Sequence, residues 1–311
     1  MNQLKILSVN ISEKKGTIKV PVEAICLSNL GVGQDAHAGS WNRQISLLGI
    51  ESILKFDKDT GRKVKPGEFA ENITTEGFEL WKMKPLDRLK CGEIDLEVTQ
   101  IGKECHGTSC AIFKETGDCV MPKEGIFCRV IRPGTLQPGD VLEYHPKVFS
   151  VRIITLSDRA SQGEYEDKSG PRIKELVEEY FKNNSSLFTL HSSLIPDDEL
   201  LLKDILLKCK EEKTDLIFTT GGTGIGPRDF TPDVVRHLLD KEIPGIMEMI
   251  RTKYGKEKPN ALASRSIAGV MRQSLVFTLP GSVKAVNEYL AEILPTINHM
   301  VFMLHGLDRH Y

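Results

Sequence analysis

From residue 151 onward the chain alternates apolar runs with amphipathic stretches, and this alternation narrows the available folds more than any other feature. VRIITL (151–156) is a continuous apolar run, followed by SGPRIKELVEEYFK with Pro171 at a plausible first helical position. LFTLHSSLI (187–195) reads as a second strand. PDDELLLKDILLKCKEE then reads as a helix, acidic in its first turn where the helix dipole favours negative charge. DLIFTT (215–220) and SLVFTLP (274–280) are two further strands. TPDVVRHLLDKEIPGIMEMIRTKYG and SVKAVNEYLAEILPTINHMVFML carry the remaining helix. Strands alternating with helices predict a three-layer α/β domain with a mostly parallel sheet covered on both faces.

The first half has a different rhythm. KILSVNI, TIKVPVEAICL, EIDLEVTQI, FCRVI and VLEY are short apolar or alternating runs, separated by turns such as KPGEF, KCGE, RPGT and QPGD. Close spacing of such runs predicts an all-β barrel or sandwich, broken by one helix near Leu47 to Lys55. The change of rhythm after His145-Pro146 places the boundary near 146–150, giving domains 1–146 and 147–311. A length of 311 residues is consistent with two domains.

Composition excludes several classes. Hydrophobic residues make up 40% and charged residues 27%, as in globular proteins. The formal net charge of −2 offers no global electrostatic case for nucleic acid. No apolar stretch approaches the ~20 residues of a membrane helix, and MNQLKILSVNIS has no signal-peptide pattern, so a cytoplasmic location without membrane contact is the expectation. The seven cysteines are an odd number, and five of them lie between Cys91 and Cys128. Without a signal peptide this argues against a disulfide framework. Metal binding, a reactive thiol and simple burial stay open for them.

Ligands of an open parallel sheet bind beyond the carboxyl ends of its strands. There the sequence gathers small, hydroxylic and acidic residues: Ser157-Asp158-Arg159 after the first strand and Pro196-Asp197-Asp198 after the second. GGTGIGPRDFTPD follows the third and Pro280-Gly281-Ser282 the fourth. Asp197 and Ser282 are also ordinary candidates for helix N-caps. Gly221, Gly222, Gly224 and Gly226 let the backbone turn sharply and approach a ligand. Thr231 is a good N-cap and Pro232 suits the first helical position, so the loop ends at an anion-attracting helix start. No lysine follows the glycines. Phosphate charge must then be met by backbone N–H groups, by Arg228 or by a metal; Asp229 and Asp233 make sense if Mg²⁺ bridges carboxylate and phosphate.

TTGGTG-x-x-x-RD-x-TPD, preceded by SDRAS and IPD and followed by Ser264-Arg265 and LPGS, resembles the MogA/MoaB family of molybdenum-cofactor biosynthesis across nearly all of residues 151–311. The resemblance implies adenylylation of the terminal phosphate of molybdopterin by Mg-ATP, with release of pyrophosphate. It also implies catalytic and Mg²⁺-binding roles for Asp197 and Asp229. Ser157, Asp158, Ser264 and Ser282 would orient pterin or nucleotide. Gly221, Gly222, Thr223, Gly224 and Gly281 would approach it with their backbones, and Thr231, Asp233 and Arg265 complete the binding set. The family's habit implies a homo-oligomer, a trimer.

In the first half, GVGQDAHAG, NRQISLL, KPGEFAENITTEGFEL and LEVTQIGKECH resemble the MOSC domain, a β-rich fold linked to molybdenum-cofactor sulfurases. The resemblance makes Cys105 the candidate to carry a persulfide or ligate molybdenum, since a thiolate is both nucleophile and soft ligand. Burial of Cys105, or a zinc site of Cys105, His106, Cys110 and Cys119, are the competing readings. His37 and Arg43 are candidates to bind an anionic cofactor group, or else a turn residue and a surface charge. Glu68 and Asn72 lie in the PGEF-x-EN segment and can equally brace a turn. Both halves thus point to one cofactor, with pterin and ATP as small-molecule partners and a sulfur donor or molybdoenzyme clients beyond them. A cofactor carrier without adenylylation is the alternative, and a scaffold or regulator the third reading.

Overall fold

The computed structural model describes residues 3–104, 113 and 119–307. The chain divides into two compact units, residues 1–147 and 148–311.

The N-terminal unit is a β-barrel. Its strands are β1 (Gln3–Ile11), β2 (Val20–Val22), β3 (Ile25–Ser28), β4 (Gly31–Val32), β5 (Ile45–Gly49), β6 (Ile73–Glu76), β7 (Arg88–Cys91), β8 (Ile94–Ile101), β9 (Ile126–Arg132), β10 (Gly134–Leu136) and β11 (Val141–His145). The main sheet runs β11-β7-β8-β9-β5-β6-β1-β2, and the pairing of β1 with β11 closes it. Closure covers the β11 edge and leaves only the three-residue β2 bonded on one side of this sheet. Leu4, Ile6, Leu47, Leu96, Val98 and Ile126 are fully buried in the core. The expected helix near Leu47 to Lys55 is displaced: Ile45–Gly49 is a strand with every residue buried, and the helix spans Ile50–Thr60. The strand's apolar run continues into the buried Ile53 and Phe56 of the helix, so periodicity alone could not mark the junction.

The C-terminal unit contains β12 (Val148–Leu156), β13 (Leu187–Ile195), β14 (Leu216–Thr220), β15 (Lys241–Glu242), β16 (Ala268–Met271) and β17 (Ser274–Leu279). Their order is β13-β12-β14-β17-β16-β15. The first four strands are parallel; β16 and β15 add antiparallel pairs at one edge. Those two short strands escaped the sequence reading. Strands β14 and β17 are buried throughout, as interior parallel strands require. Edge strand β13 alternates between exposed and half-buried positions over most of its length.

Helices cover both faces. On one, Leu202 and Leu206 of the Glu199–Glu211 helix and Val234 and Val235 of the Thr231–Leu238 helix join Ile154, Ile217 and Val276. On the other, Phe181 of the Ser169–Asn183 helix packs 5.5 Å from Phe149 and 4.8 Å from Phe188, ring to ring. Ile173, Val177 and Phe181 recur every fourth residue, which gives that helix one apolar face. The Val283–Ile293 helix packs against it. Lys168, not a residue next to Pro171, precedes this first helix, because the Asp167 carboxylate collects the Ser169 and Gly170 amides. No helix among the described residues is long and apolar enough to cross a membrane.

Strand order fixes where a ligand can enter. β13 lies on one side of β12 and the chain returns to place β14 on the other, so the crevice opens at the carboxyl ends of β12 and β14.

Candidate active site

Three loops meet at that crevice. After β12, Ser157 caps the short Asp158–Ser161 helix by accepting from the Ala160 amide at 3.2 Å, and its hydroxyl lies 2.9 Å from that of Tyr165. After β13 comes Asp197. Its amide donates to Asp158 Oδ1 at 2.8 Å, and the Asp158 amide donates back to Asp197 Oδ2 at 3.2 Å. The cap of the following helix is Asp198, whose carboxylate accepts from the Leu201 amide at 3.0 Å. Capping therefore does not account for Asp197.

The third loop follows β14. Gly221 and Gly222 have φ of +103° and +62°, conformations that favour glycine. A Cβ at Gly221 would overlap the Leu156 carbonyl oxygen, and one at Gly222 would sit 2.6 Å from Thr231 Oγ1. Thr231 is the first helical residue rather than the cap; Phe230 holds the cap position without a side-chain bond. The reason is local: the Phe230 carbonyl accepts the first bonds of the helix, from the Asp233 and Val234 amides at 2.9 and 3.1 Å, and the Thr231 amide donates to the Gly222 carbonyl at 3.1 Å. The buried Thr231 hydroxyl has no partner among the described residues. Asp229 Oδ2 accepts from the Gly226 amide at 2.8 Å, folding the carboxylate back over the loop.

Arg265 holds this loop in place. Its Nη1 reaches both Asp233 oxygens at 2.9 Å, its Nε donates to the Gly224 carbonyl at 2.7 Å, and its Nη2 donates to the Asp229 carbonyl. Its amide donates to the Thr223 carbonyl at 2.8 Å. Arg265, Asp233, Thr223 and Gly224 thus form a brace behind the loop.

Ser157, Asp158, Asp197, Gly222, Arg228 and Asp229 line one cleft of about 330 Å³. Arg228 pairs with Asp158, so the free acidity of the cleft belongs to Asp197 and Asp229. Each spends one oxygen on a loop amide, and the other accepts no hydrogen bond from the described residues. Among those residues no group of three or more potential ligands is poised to enclose a metal. Two open carboxylates suit Mg²⁺, which keeps water and binds through one or two carboxylates plus substrate phosphates. Ser264 and Ser282 lie elsewhere, in a second cavity of about 260 Å³. Ser282 also caps the Val283–Ile293 helix. Gly281 lines a further cavity with Tyr165 and Asp167, and a Cβ there would stand 3.6 Å from Gly221 Cα.

In the N-terminal unit, the His37 amide donates to Asp35 Oδ1 at 3.0 Å and its ring stacks on Trp41. Arg43 lies over the Trp41 and Phe127 rings, 5.0 and 6.0 Å from their centroids. Glu68 accepts from the Lys65 amide and braces a turn, whereas the buried Asn72 joins two strands, accepting from the Ser46 amide and donating to the Asn10 carbonyl. Burial raises the thiol pKa of Cys91 and, further, of Cys128. Cys105, His106 and Cys110 lie outside the described residues.

Sequence reading missed three buried charges here. Lys19 and Asp35 form an ion pair with both side chains essentially inaccessible, and Lys19 Nζ lies 3.4 Å from His37 Nδ1. Glu71 is fully buried; its Oε1 accepts from the Gly67 amide at 2.6 Å and the Thr74 hydroxyl at 2.8 Å, and its Oε2 has no partner among the described residues. Asp35 and Glu71 sit inside segments already singled out, but nothing local marks them as buried. Lys19 lies in a strand-like run where lysine normally faces water.

Residues 152–299 match a family described as a probable molybdopterin binding domain, and residues 34–143 match the MOSC domain. The molybdopterin adenylyltransferase of Helicobacter pylori J99 is 38% identical over 161 residues, covering 51% of this chain and 90% of that protein. The chain belongs to the molybdopterin adenylyltransferase family. The Escherichia coli K12 member of this MogA/MoaB-type family is 33% identical over 158 residues, 50% of this chain and 78% of its own. The crystal structure of the molybdopterin biosynthesis enzyme MoaB from Thermus thermophilus is 37% identical, covers 51% of this chain and 98% of that one, and has a TM-score of 0.46. In this family member the similarity to adenylyltransferases lies wholly in the C-terminal half, with the MOSC domain preceding it.

Proposed function

We propose that the C-terminal domain adenylylates molybdopterin, using Mg-ATP. A terminal phosphate oxygen of the pterin attacks the α-phosphorus of ATP, the bond from that phosphorus to the bridging oxygen of the β-phosphate breaks, and pyrophosphate leaves. The observation that carries this reading is the convergence of Asp197 and Asp229, from separate loops, on one cleft beside the glycine loop. Attack of phosphate on a triphosphate crowds negative charge, so alignment and charge neutralisation are the main tasks. Asp197 and Asp229 would hold Mg²⁺, which neutralises phosphate charge when bound. The loop amides near Gly222 would face phosphate. A sheet with helices on both faces agrees with the three-layer α/β architecture expected of such a domain.

The MOSC domain, in the same proposal, binds or sulfurates the cofactor, with Cys105 as the sulfur or molybdenum ligand and His37 and Arg43 near an anionic group. The names and identities of the relatives support the adenylylation half. Incubating the full chain with molybdopterin, ATP and MgCl₂ should release pyrophosphate. Pterin binding that is indifferent to ATP, with no pyrophosphate, would make the protein a carrier instead. Cys105→Ser should abolish retention of sulfur or cofactor; unchanged retention would reject its assigned role.

A further inference from the structure

The aspartate cleft holds a cation that none of its carboxylates engages. Its lining carries three carboxylates, Asp158, Asp197 and Asp229, and two guanidinium groups, Arg159 and Arg228. The sequence offers Arg228 for phosphate charge, but Asp158 occupies it. Asp197 and Asp229 are left for Mg²⁺ in the proposed reaction. Among the described residues the Arg159 guanidinium pairs with no carboxylate and lies over the Tyr165 ring instead, its Cζ 5.2 Å from the centroid.

The backbone is folded to make that contact. Ser157 caps the Asp158–Ser161 turn, and the Gln162 and Gly163 amides donate to the Asp158 and Ala160 carbonyls at 3.0 and 3.1 Å. Gly163, at φ +77°, turns the chain back, and the Glu164 amide donates to the Arg159 carbonyl at 2.9 Å. This closure brings Tyr165 onto Arg159. The Tyr165 hydroxyl lies 2.9 Å from that of Ser157, so the ring is fastened to the residue that caps the turn. Ala160 is buried and anchors the turn, whereas Arg159 and Tyr165 are exposed at the rim.

A cation–π contact engages the charge of a guanidinium and leaves its N–H donors open. At an exposed ring it is also weaker than a charge-assisted bond to phosphate. Phosphate arriving between Asp197 and Asp229 would therefore draw the Arg159 side chain from Tyr165 into the cleft. One divalent ion does not offset a triphosphate and a phosphate monoester together. Fixed positive groups aimed at the reacting phosphates supply the remaining stabilisation in phosphoryl-transfer sites.

We propose that Arg159 is a phosphate-binding arm of the reaction centre, resting on Tyr165 in the free protein and engaging phosphate oxygens of a substrate when the cleft fills. The inference rests on the adenylylation reading for the identity of those phosphates, since ATP and pterin phosphate share the chemistry. Arg159 would touch the substrate and so is a catalytic residue; Tyr165 is a positioning residue that acts through it.

The test measures binding of Mg-ATP and of molybdopterin to the full chain at low salt, together with pyrophosphate release, for the wild type, Arg159→Met and Arg159→Lys. Arg159→Met should weaken one of the two substrates about tenfold, flatten the salt dependence of its binding and lower kcat about a hundredfold. Arg159→Lys keeps the charge and should recover part of both losses. The substrate that weakens is the one whose phosphate the arm holds. Unchanged dissociation constants for both substrates overturn the proposal, as do identical losses in the Met and Lys variants. Tyr165→Leu should slow the wild type and leave Arg159→Met no slower; additive losses would remove Tyr165 from the arm. Arginine-dependent binding in a wild type that releases no pyrophosphate would sink adenylylation and leave the arm standing; pyrophosphate release with arginine-independent binding would do the reverse.

Discussion

Asp158 and Asp197 exchange main-chain hydrogen bonds, each carboxylate accepting the other's amide at 2.8 and 3.2 Å. The loops after β12 and β13 are thereby fastened to each other, and the outward oxygen of Asp197 is fixed in the cleft. Asp197→Asn keeps an oxygen that can accept from the Asp158 amide, so the loop geometry should survive while the charge is lost. Pyrophosphate release should then fall roughly 10²–10³-fold, the scale of removing one electrostatic group at a reaction centre. The urea unfolding midpoint should stay at the wild-type value. A variant with full activity would exclude Asp197 from the reaction.

Arg265 makes a fork that lysine cannot imitate, reaching Asp233, the Gly224 carbonyl and the Asp229 carbonyl at once. Arg265→Lys keeps the charge and loses the brace. Misplacement of Asp229 should lower kcat by roughly ten- to a hundredfold, with a smaller change in KM for ATP. Equal rates for Arg265→Lys and wild type would show that charge alone suffices.

Gly221→Ala places a side chain against the Leu156 carbonyl oxygen at a φ of +103°. The strain should cost about 1–3 kcal/mol. Urea denaturation gives the loss directly, and alanine at Gly245, where the added Cβ meets nothing within 4 Å, supplies the control.

Burial pushes the Glu71 carboxyl up to about 7, against hydrogen bonds from Gly67 and Thr74 that pull it down. Its pKa in the folded state lies above the unfolded value of roughly 4.3. The unfolded chain thus loses this proton first. Glu71's contribution to stability is complete below about 4.3 and is lost as pH rises through about 7. Glu71→Gln keeps the oxygen that accepts from Gly67 and Thr74. Subtracting its melting curve from that of the wild type should show stability falling across this window only in the wild type. A difference that is flat with pH would mean Glu71 titrates normally.

Much of this architecture was legible because interior parallel strands are apolar on both faces, and VRIITL, DLIFTT and SLVFTLP announce themselves. β16, only Ala268–Met271, and β15, only Lys241–Glu242, are too short for any periodicity, and they are held by pairing with β17 and with each other. Asp197 and Asp229 were readable as acidic residues after strands. The freedom of Asp197 from capping was not, since it depends on Asp198 taking the cap. The bond between Arg265 and Asp233 was not readable either, since the two lie 32 residues apart and meet only in the fold. Lys19, Asp35 and Glu71 come from separate segments, and only the folded barrel buries them.

β13 is bonded to β12 alone, whereas β14 has a neighbour on each side. Asp197 therefore follows an edge strand, whereas Asp229 follows an interior strand that opens only with the core. Amide hydrogens of β13 should exchange with solvent faster than those of β14. A ligand that engages both aspartates would tie the edge to the interior, so its binding should register as slowed exchange along Leu187–Ile195, far beyond the atoms it touches.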